Sequence, residues 1–62
     1  MILSRIKEHR KRRGLTQIEL AKISDVGRAT IAALETGNRK RVQAGTVEKL
    51  ARALKVSPED LR

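Results

Sequence analysis

The stretch that decides the fold lies between residues 16 and 37 and reads TQIELAKISDVGRATIAALETG. Its first residues, Thr16 and Glu19, have the spacing of a capping box, in which a hydroxyl and a carboxylate satisfy early amide groups of a helix. The following Ser24-Asp25-Val26-Gly27 is too rich in turn-forming residues to continue that helix. A second helix of about residues 28–36 is predicted next, with a glycine directly after it, as is typical of helix ends. The stretch therefore predicts two short helices joined by a tight turn.

The segment before this stretch is predicted to form another helix, of about residues 3–13. Ile2, Leu3 and Ile6 share one face of it at about 100° per residue. The same face continues into Arg10, and an arginine that faces a core needs a carboxylate partner. We therefore expect Arg10 to pair with an acidic residue of another helix.

Two elements are predicted after the deciding stretch. A helix of about residues 44–55 has apolar residues at i, i+3, i+4 and i+7, namely Val47, Leu50, Ala51 and Leu54. A short fifth helix is predicted to start at Ser57, with Pro58 in its first helical position. The sequence thus predicts an all-α, compact five-helix fold, with residues 1–62 forming a single domain.

The composition excludes several classes of function. The chain has 62 residues without Cys, Phe, Tyr or Trp, and so it lacks thiolate metal ligands and aromatic platforms for base stacking. His9 has no partner motif, and the glycines are too far apart for a phosphate-binding loop. We therefore expect no enzyme activity, no cofactor and no metal. No apolar run approaches the ~20 residues of a membrane span, and we expect a cytoplasmic, nucleoid-associated protein.

The charge of the chain points to an anionic partner. Fifteen Lys and Arg residues against seven Asp and Glu residues give a net charge of +8, which suits nucleic acid, an anionic membrane surface or an acidic protein. One group of basic residues lies before the deciding stretch: Arg5, Lys7, Arg10, Lys11, Arg12 and Arg13. A second, Arg39-Lys40-Arg41, follows it. Two basic patches on either side of the helix pair suit the phosphates that border a DNA groove. A membrane-surface helix would need a broad apolar face with Trp or Phe.

Several residues together resemble the phage-repressor/Cro type (lambda-repressor-like, XRE family) DNA-binding domain. They are Leu15-Thr16-Gln17-x-x-Leu20-Ala21, Val26, Ile31 and Leu34-Glu35-x-Gly37. The resemblance covers nearly the whole chain and implies a helix-turn-helix at about 16–36 whose recognition helix, about 28–36, enters the major groove. The chain departs from the family at Asp25, where Gly is usual, and at Gly27, where Ser or Thr often caps the recognition helix.

Together, the resemblance and the residues themselves predict the DNA contacts. The predicted base-reading residues are Arg28, Ala29, Ala32 and Ala33. Alanine is the best helix former, but small side chains would also let the helix lie close to base edges. Arg28 is the long donor of this face, and we expect it to contact a guanine, with a phosphate as the alternative. The predicted phosphate contacts are Thr16, Gln17, Thr36, Asn38, Arg39, Lys40 and Arg41. Gln17 suits this role because a helix N-terminus attracts phosphate.

The predicted partner of Arg10 is Glu35, on the flank of the recognition helix, because these positions commonly form an ion pair in the resembling family. The alternative is that Arg10 turns outward to a phosphate. Such a pair would fix geometry more than it adds stability.

These observations predict a sequence-specific double-stranded DNA-binding protein that acts as a transcriptional regulator, with repression the favoured role. We expect a weak homodimer that forms on a near-palindromic, operator-like site. One alternative is the antitoxin of a toxin–antitoxin pair, for which the off-face Ile18 is thin evidence of a partner contact. Another is a basic module without sequence preference. A toxin or a C-terminal regulatory region would be the protein partner.

Overall fold

The computed structural model describes residues 3–39 and 41–62, and every regular element of more than one residue in this part of the chain is helical. Four α-helices are followed by one 3₁₀-helix: α1 Ile6–Arg12, α2 Gln17–Ser24, α3 Arg28–Thr36, α4 Ala44–Leu54 and the 3₁₀-helix Pro58–Leu61. The all-α architecture is as predicted. The predicted fifth α-helix was wrong, because the four residues of this element close with i→i+3 hydrogen bonds such as the one from the Asp60 amide to the Ser57 carbonyl, 3.0 Å.

The first helix begins three residues later than predicted. The amides of Ser4 and Arg5 donate to the carbonyl of Leu61, at 3.0 and 3.1 Å, and this long-range contact keeps both residues out of the helix. Leu3 is nevertheless buried in the core, as its place on the apolar face requires. Ile2 of the predicted face lies outside the described residues.

The helix-turn-helix of α2 and α3 follows the local sequence signals closely. Thr16 and Glu19 form the predicted capping box, since the Glu19 amide donates to the Thr16 hydroxyl and the Thr16 amide donates to the Glu19 carboxylate. Asp25 ends α2 in the left-handed conformation at φ 60°, a role that aspartate tolerates better than most side chains do. Gly27 precedes α3 without a side-chain cap. These signals set the ends of both helices.

A single apolar core joins the elements. α2 packs against α3 and α4, α1 packs against α3, and α4 packs against the 3₁₀-helix. The side chains at its centre are at most 1% exposed: Ile6, Leu20, Ile31, Leu50, Leu54 and Leu61. Each such side chain stabilises the fold by about 1.5–3 kcal/mol relative to an exposed position. In the described residues, no helix has the length and apolar character that a bilayer crossing requires.

Candidate nucleic-acid interface

The outer face of α3 carries the four predicted base-reading residues. Ile31 and Leu34 fix the orientation of the helix, because both are buried in the core. Arg28 and Ala29, in the first turn of α3, are exposed, whereas Ala32 and Ala33 are half-buried. The structure therefore brings Arg28 and the three alanines together on one accessible surface, with a single long side chain at its amino-terminal end.

The amino end of α2 lies beside this surface and offers free donors. Its capping box engages the amides of Thr16 and Glu19, and we find no hydrogen-bond partner within residues 3–39 and 41–62 for the two amides between them, those of Gln17 and Ile18. Unpaired amides at a helix N-terminus can bind an anion. The Thr16 hydroxyl already accepts the hydrogen bond of the cap, so only its proton remains free for a phosphate.

A buried ion pair joins α1 to α3, as predicted. Arg10 Nε lies 2.7 Å from Glu35 Oε2 and Arg10 Nη2 lies 3.0 Å from Glu35 Oε1, while Nη1 donates to the carbonyl of Leu15 at 2.7 Å. The two side chains are only 11% and 2% exposed. Arg10 thus points inward in this structure, not outward as in the alternative.

Gln17 completes this cluster. Its Nε2 donates to Glu35 Oε1 at 3.2 Å, so one carboxylate holds residues of α1, α2 and α3 together. Burial of Glu35 opposes its charge, but the hydrogen bonds from Arg10 and Gln17 outweigh burial and lower the pKa of this carboxyl group. The hydrogen bond between Arg10 and Glu35 also raises the pKa of the Arg10 guanidinium. No local sequence pattern indicates the contact of Gln17 with Glu35, which joins residues eighteen positions apart.

The segment after α3 places further polar side chains at the carboxyl end of that helix. Thr36, Asn38, Arg39 and Arg41 are all exposed. The Thr36 hydroxyl donates to the Ala33 carbonyl at 3.3 Å, and the Arg39 amide donates to the same carbonyl at 3.0 Å, so this segment folds back on α3. Lys40, also predicted as a phosphate contact, lies outside the described residues.

The basic patch of α1 is less available than its charge suggests. Arg10 is buried with Glu35, while Arg5 and Arg12 both reach Glu8, at 3.6 and 2.7 Å. In the described part of the chain, the remaining members without an ion pair are Lys7, Lys11 and Arg13. Arg28 and Arg39, at the two ends of α3, are likewise without one. The basic patch before α2 therefore has fewer cations available for a partner than the sequence predicts, because three of its six are in ion pairs.

Two isoleucines of α2 are exposed, Ile18 by 55% and Ile23 by 57%. Ile18 was predicted to lie off the buried face, and it lines a groove of about 350 Å³ that also includes Gly27 and Arg28. Ile23 was not singled out, since it lies three positions after the buried Leu20 and helical spacing alone does not indicate its exposure. It lines a second groove, of about 380 Å³, against α4.

His9 makes a hydrogen bond with a structural role. Its Nε2 lies 3.0 Å from the carbonyl oxygen of Asp60, which ties α1 to the 3₁₀-helix. Over residues 3–39 and 41–62, no three His, Cys, Asp or Glu side chains are grouped as metal binding requires.

Comparison with known proteins identifies relatives of this chain. The family model described as "Helix-turn-helix" matches residues 6–61. The chain is 41% identical over 56 residues to a Bacillus subtilis (strain 168) protein described as an uncharacterized HTH-type transcriptional regulator, RghRB, and this match covers 90% of the chain and 40% of that protein. The chain thus spans less than half the length of this relative.

Two solved structures have the same fold. The restriction-modification controller protein C.AhdI from Aeromonas hydrophila matches with a TM-score of 0.85 and 36% identity, over 94% of this chain and 86% of that one. SinR, described as the master regulator for biofilm formation and solved in complex with DNA, matches with a TM-score of 0.89 and 30% identity, over 92% and 90%. Because the family model matches almost the whole chain, the chain belongs to the helix-turn-helix family.

Proposed function

We propose that this chain is the DNA-binding domain of a transcriptional regulator, and that it binds double-stranded DNA with α3 in the major groove. The observation that carries the proposal is the accessible surface of Arg28 and three alanines on α3, beside the free amides of α2. Two relatives support it: one is described as an HTH-type transcriptional regulator, and SinR was solved in complex with DNA.

The two ends of α3 would have different tasks. Arg28 would donate two hydrogen bonds to a guanine edge, and the methyl groups of Ala29, Ala32 and Ala33 would lie against base edges, including thymine methyl groups. Gln17 and the free α2 amides would bind a phosphate on one side of the groove. Thr36, Asn38, Arg39 and Arg41, with Lys40 and Thr16, would contact phosphates as well. With so few direct readers, DNA shape would supply part of the specificity.

The ion pair of Arg10 with Glu35 would orient these contacts. Because Glu35 also accepts a hydrogen bond from Gln17, the reading helix and the phosphate-binding end of α2 are held in one arrangement before DNA arrives. A rigid arrangement reduces the ordering that binding requires.

Repression by occlusion of an operator is the regulatory role that we propose, in the cytoplasm and without enzymatic chemistry. Two chains would pair on a near-palindromic site, with recognition helices about 34 Å apart. The net charge of +8 opposes pairing until DNA phosphates neutralise it.

Selection from a pool of random duplexes tests the proposal. We expect a near-palindromic motif, and an affinity that falls with salt by about 0.9 in log units per phosphate contact. Arg28→Ala should cost about 1–3 kcal/mol on the best site and relax the preference at one base pair per half-site. Arg39→Ala is the matched control, an exposed arginine at the other end of α3, and should weaken all sequences alike. An unchanged motif with Arg28→Ala would refute its assignment as a reading residue, and the absence of any motif would refute sequence-specific binding.

A further inference from the structure

The groove beneath Ile23 has no role in the proposed DNA complex. Its lining residues come from the carboxyl half of α2 and from α4: Ile23, Ser24, Asp25, Lys49, Arg52 and Ala53. None belongs to α3 or to the segment after it. Ile23 lies five positions after Ile18, which corresponds to about 140° around the helix. The Ile18 groove includes Arg28 and would be covered by DNA, whereas the Ile23 groove lies on a different side of α2.

The groove combines an apolar floor with a basic rim. Ile23 is 57% exposed, and Ala53 is a partly buried residue that packs against the core. Lys49 and Arg52, both exposed, flank them from α4. In the part of the chain that the structure describes, Arg52 has no ion pair. An apolar floor with cations beside it fits an apolar side chain flanked by carboxylates.

The single carboxylate of the rim does not neutralise this charge. Asp25 Oδ2 lies 3.7 Å from Lys49 Nζ, but the Asp25 side chain is 94% exposed and the Lys49 side chain 52%. Such a pair is weak and exchanges readily for another partner. A carboxylate brought by a ligand can therefore replace Asp25 beside Lys49.

We propose that this groove is a docking site for an acidic segment of a partner protein, one that places an apolar side chain on Ile23 and carboxylates beside Lys49 and Arg52. Charge complementarity selects this occupant. A DNA backbone would satisfy the two cations but would leave Ile23 and Ala53 without an apolar partner. A second copy of this chain carries a charge of +8 and is repelled by the same rim.

The test starts from a library of random 12-residue peptides displayed on phage and selected on the 62-residue chain. The selected peptides should combine Asp or Glu with Leu, Ile or another large apolar residue. The dissociation constant of a synthetic copy is then measured by fluorescence anisotropy against variants whose changes lie on the surface. Ile23→Ser should weaken binding by about tenfold, as loss of one aliphatic contact implies. Ile18→Ser is the matched control and should leave the affinity unchanged, because this isoleucine is equally exposed on the other side of α2.

Two charge variants separate specific docking from attraction to any basic protein. Arg52→Glu should weaken peptide binding by more than Arg39→Glu, which changes the net charge equally outside the groove. Asp25→Asn should tighten it, because the competing carboxylate is removed while asparagine still tolerates the left-handed backbone.

Several results would overturn the proposal. They are a selection that enriches no peptide, selected peptides without acidic residues, equal losses with Ile18→Ser and Ile23→Ser, and weaker binding with Asp25→Asn. Sedimentation of the free chain tests whether a second copy occupies the groove. A dimer that dissociates when Ile23→Ser is introduced would assign the groove to a second copy and overturn the proposal.

Discussion

The inner and outer faces of α1 each carry an arginine–glutamate pair with an N···O distance of 2.7 Å, yet the two pairs have different physical consequences. Arg10 and Glu35 face inward and are 11% and 2% exposed, whereas Arg12 and Glu8 face outward and are 66% and 40% exposed. Water competes for the outer pair and screens it. The inner pair has lost its water, so each charge depends on the other. Burial, and not contact distance, therefore decides what an ion pair contributes here.

The largest expected effect comes from Glu35→Ala, which would leave the Arg10 guanidinium buried without its partner. Such a loss costs about 3–5 kcal/mol, comparable to the whole stability of a domain this small. Chemical denaturation of Glu35→Ala, Arg10→Met and the double variant measures the coupling. The double variant should be more stable than Glu35→Ala, because no charge remains buried alone. A coupling energy of zero would remove the distinction between the two faces.

Acid should reproduce part of this loss without a mutation. The pKa of Glu35 is lowered from its ordinary value of 4.5, so its contribution is present at neutral pH and is lost as pH falls below that value through the folded-state pKa. The effect should be smaller than that of Glu35→Ala, because a protonated carboxyl group still fills its site.

Glu19 must be separated from Glu35 in this titration. Its pKa is also lowered, by hydrogen bonds from the backbone and side chain of Thr16, and its acid dependence has the same sign. Glu19→Gln retains the capping box and removes this second titration. Denaturation midpoints from pH 7 to pH 2 in that background should still fall with acid, and a flat profile would contradict the assignment to Glu35.

Gln17→Ala should have an intermediate effect on stability. It removes one hydrogen bond to Glu35 and leaves the Arg10 pair intact, which corresponds to about 0.5–1.5 kcal/mol. Thermal denaturation measures the change. A loss as large as that of Glu35→Ala would mean that the Gln17 amide, and not the Arg10 guanidinium, is the main partner that stabilises the buried Glu35 carboxylate.

The smallest effect is expected for Glu8→Ala on the outer face. Both of its arginine contacts are exposed, and such pairs contribute about 0–1 kcal/mol. Raising the salt concentration should reduce even this difference, while the coupling of Arg10 with Glu35 should persist. Denaturation at two salt concentrations makes the comparison, and a loss above about 2 kcal/mol would contradict it.

Local signals made much of this fold predictable from the sequence. The capping box at Thr16 and the glycine after Thr36 set the ends of the helix-turn-helix, because each acts within one turn of its own helix. The partner of Arg10 followed from an arginine on an apolar face, with the resemblance supplying Glu35. The position of Ala29, Ala32 and Ala33 away from the core followed from helical spacing once Ile31 and Leu34 were assigned to the core.

The features that sequence reasoning missed depend on distant parts of the chain. α1 begins at Ile6 because the Leu61 carbonyl takes the amides of Ser4 and Arg5, a contact that no local pattern reports. The hydrogen bond from Gln17 to Glu35 likewise needs α2 and α3 in place. The exposure of Ile23 depends on how far α4 extends over α2, which hydrophobicity alone does not give.

The contact of Leu61 with the chain start has a consequence for the order of folding. Most helical hydrogen bonds here close short loops, but the bonds from Ser4 and Arg5 to the Leu61 carbonyl close a loop of almost the entire chain. Closing a long loop costs more chain entropy than closing a short one, so this contact is expected to form last. The Ser4 and Arg5 amides would then exchange with deuterium sooner than those of α4. Their exchange rates would report how often the contact between the two ends of the domain opens.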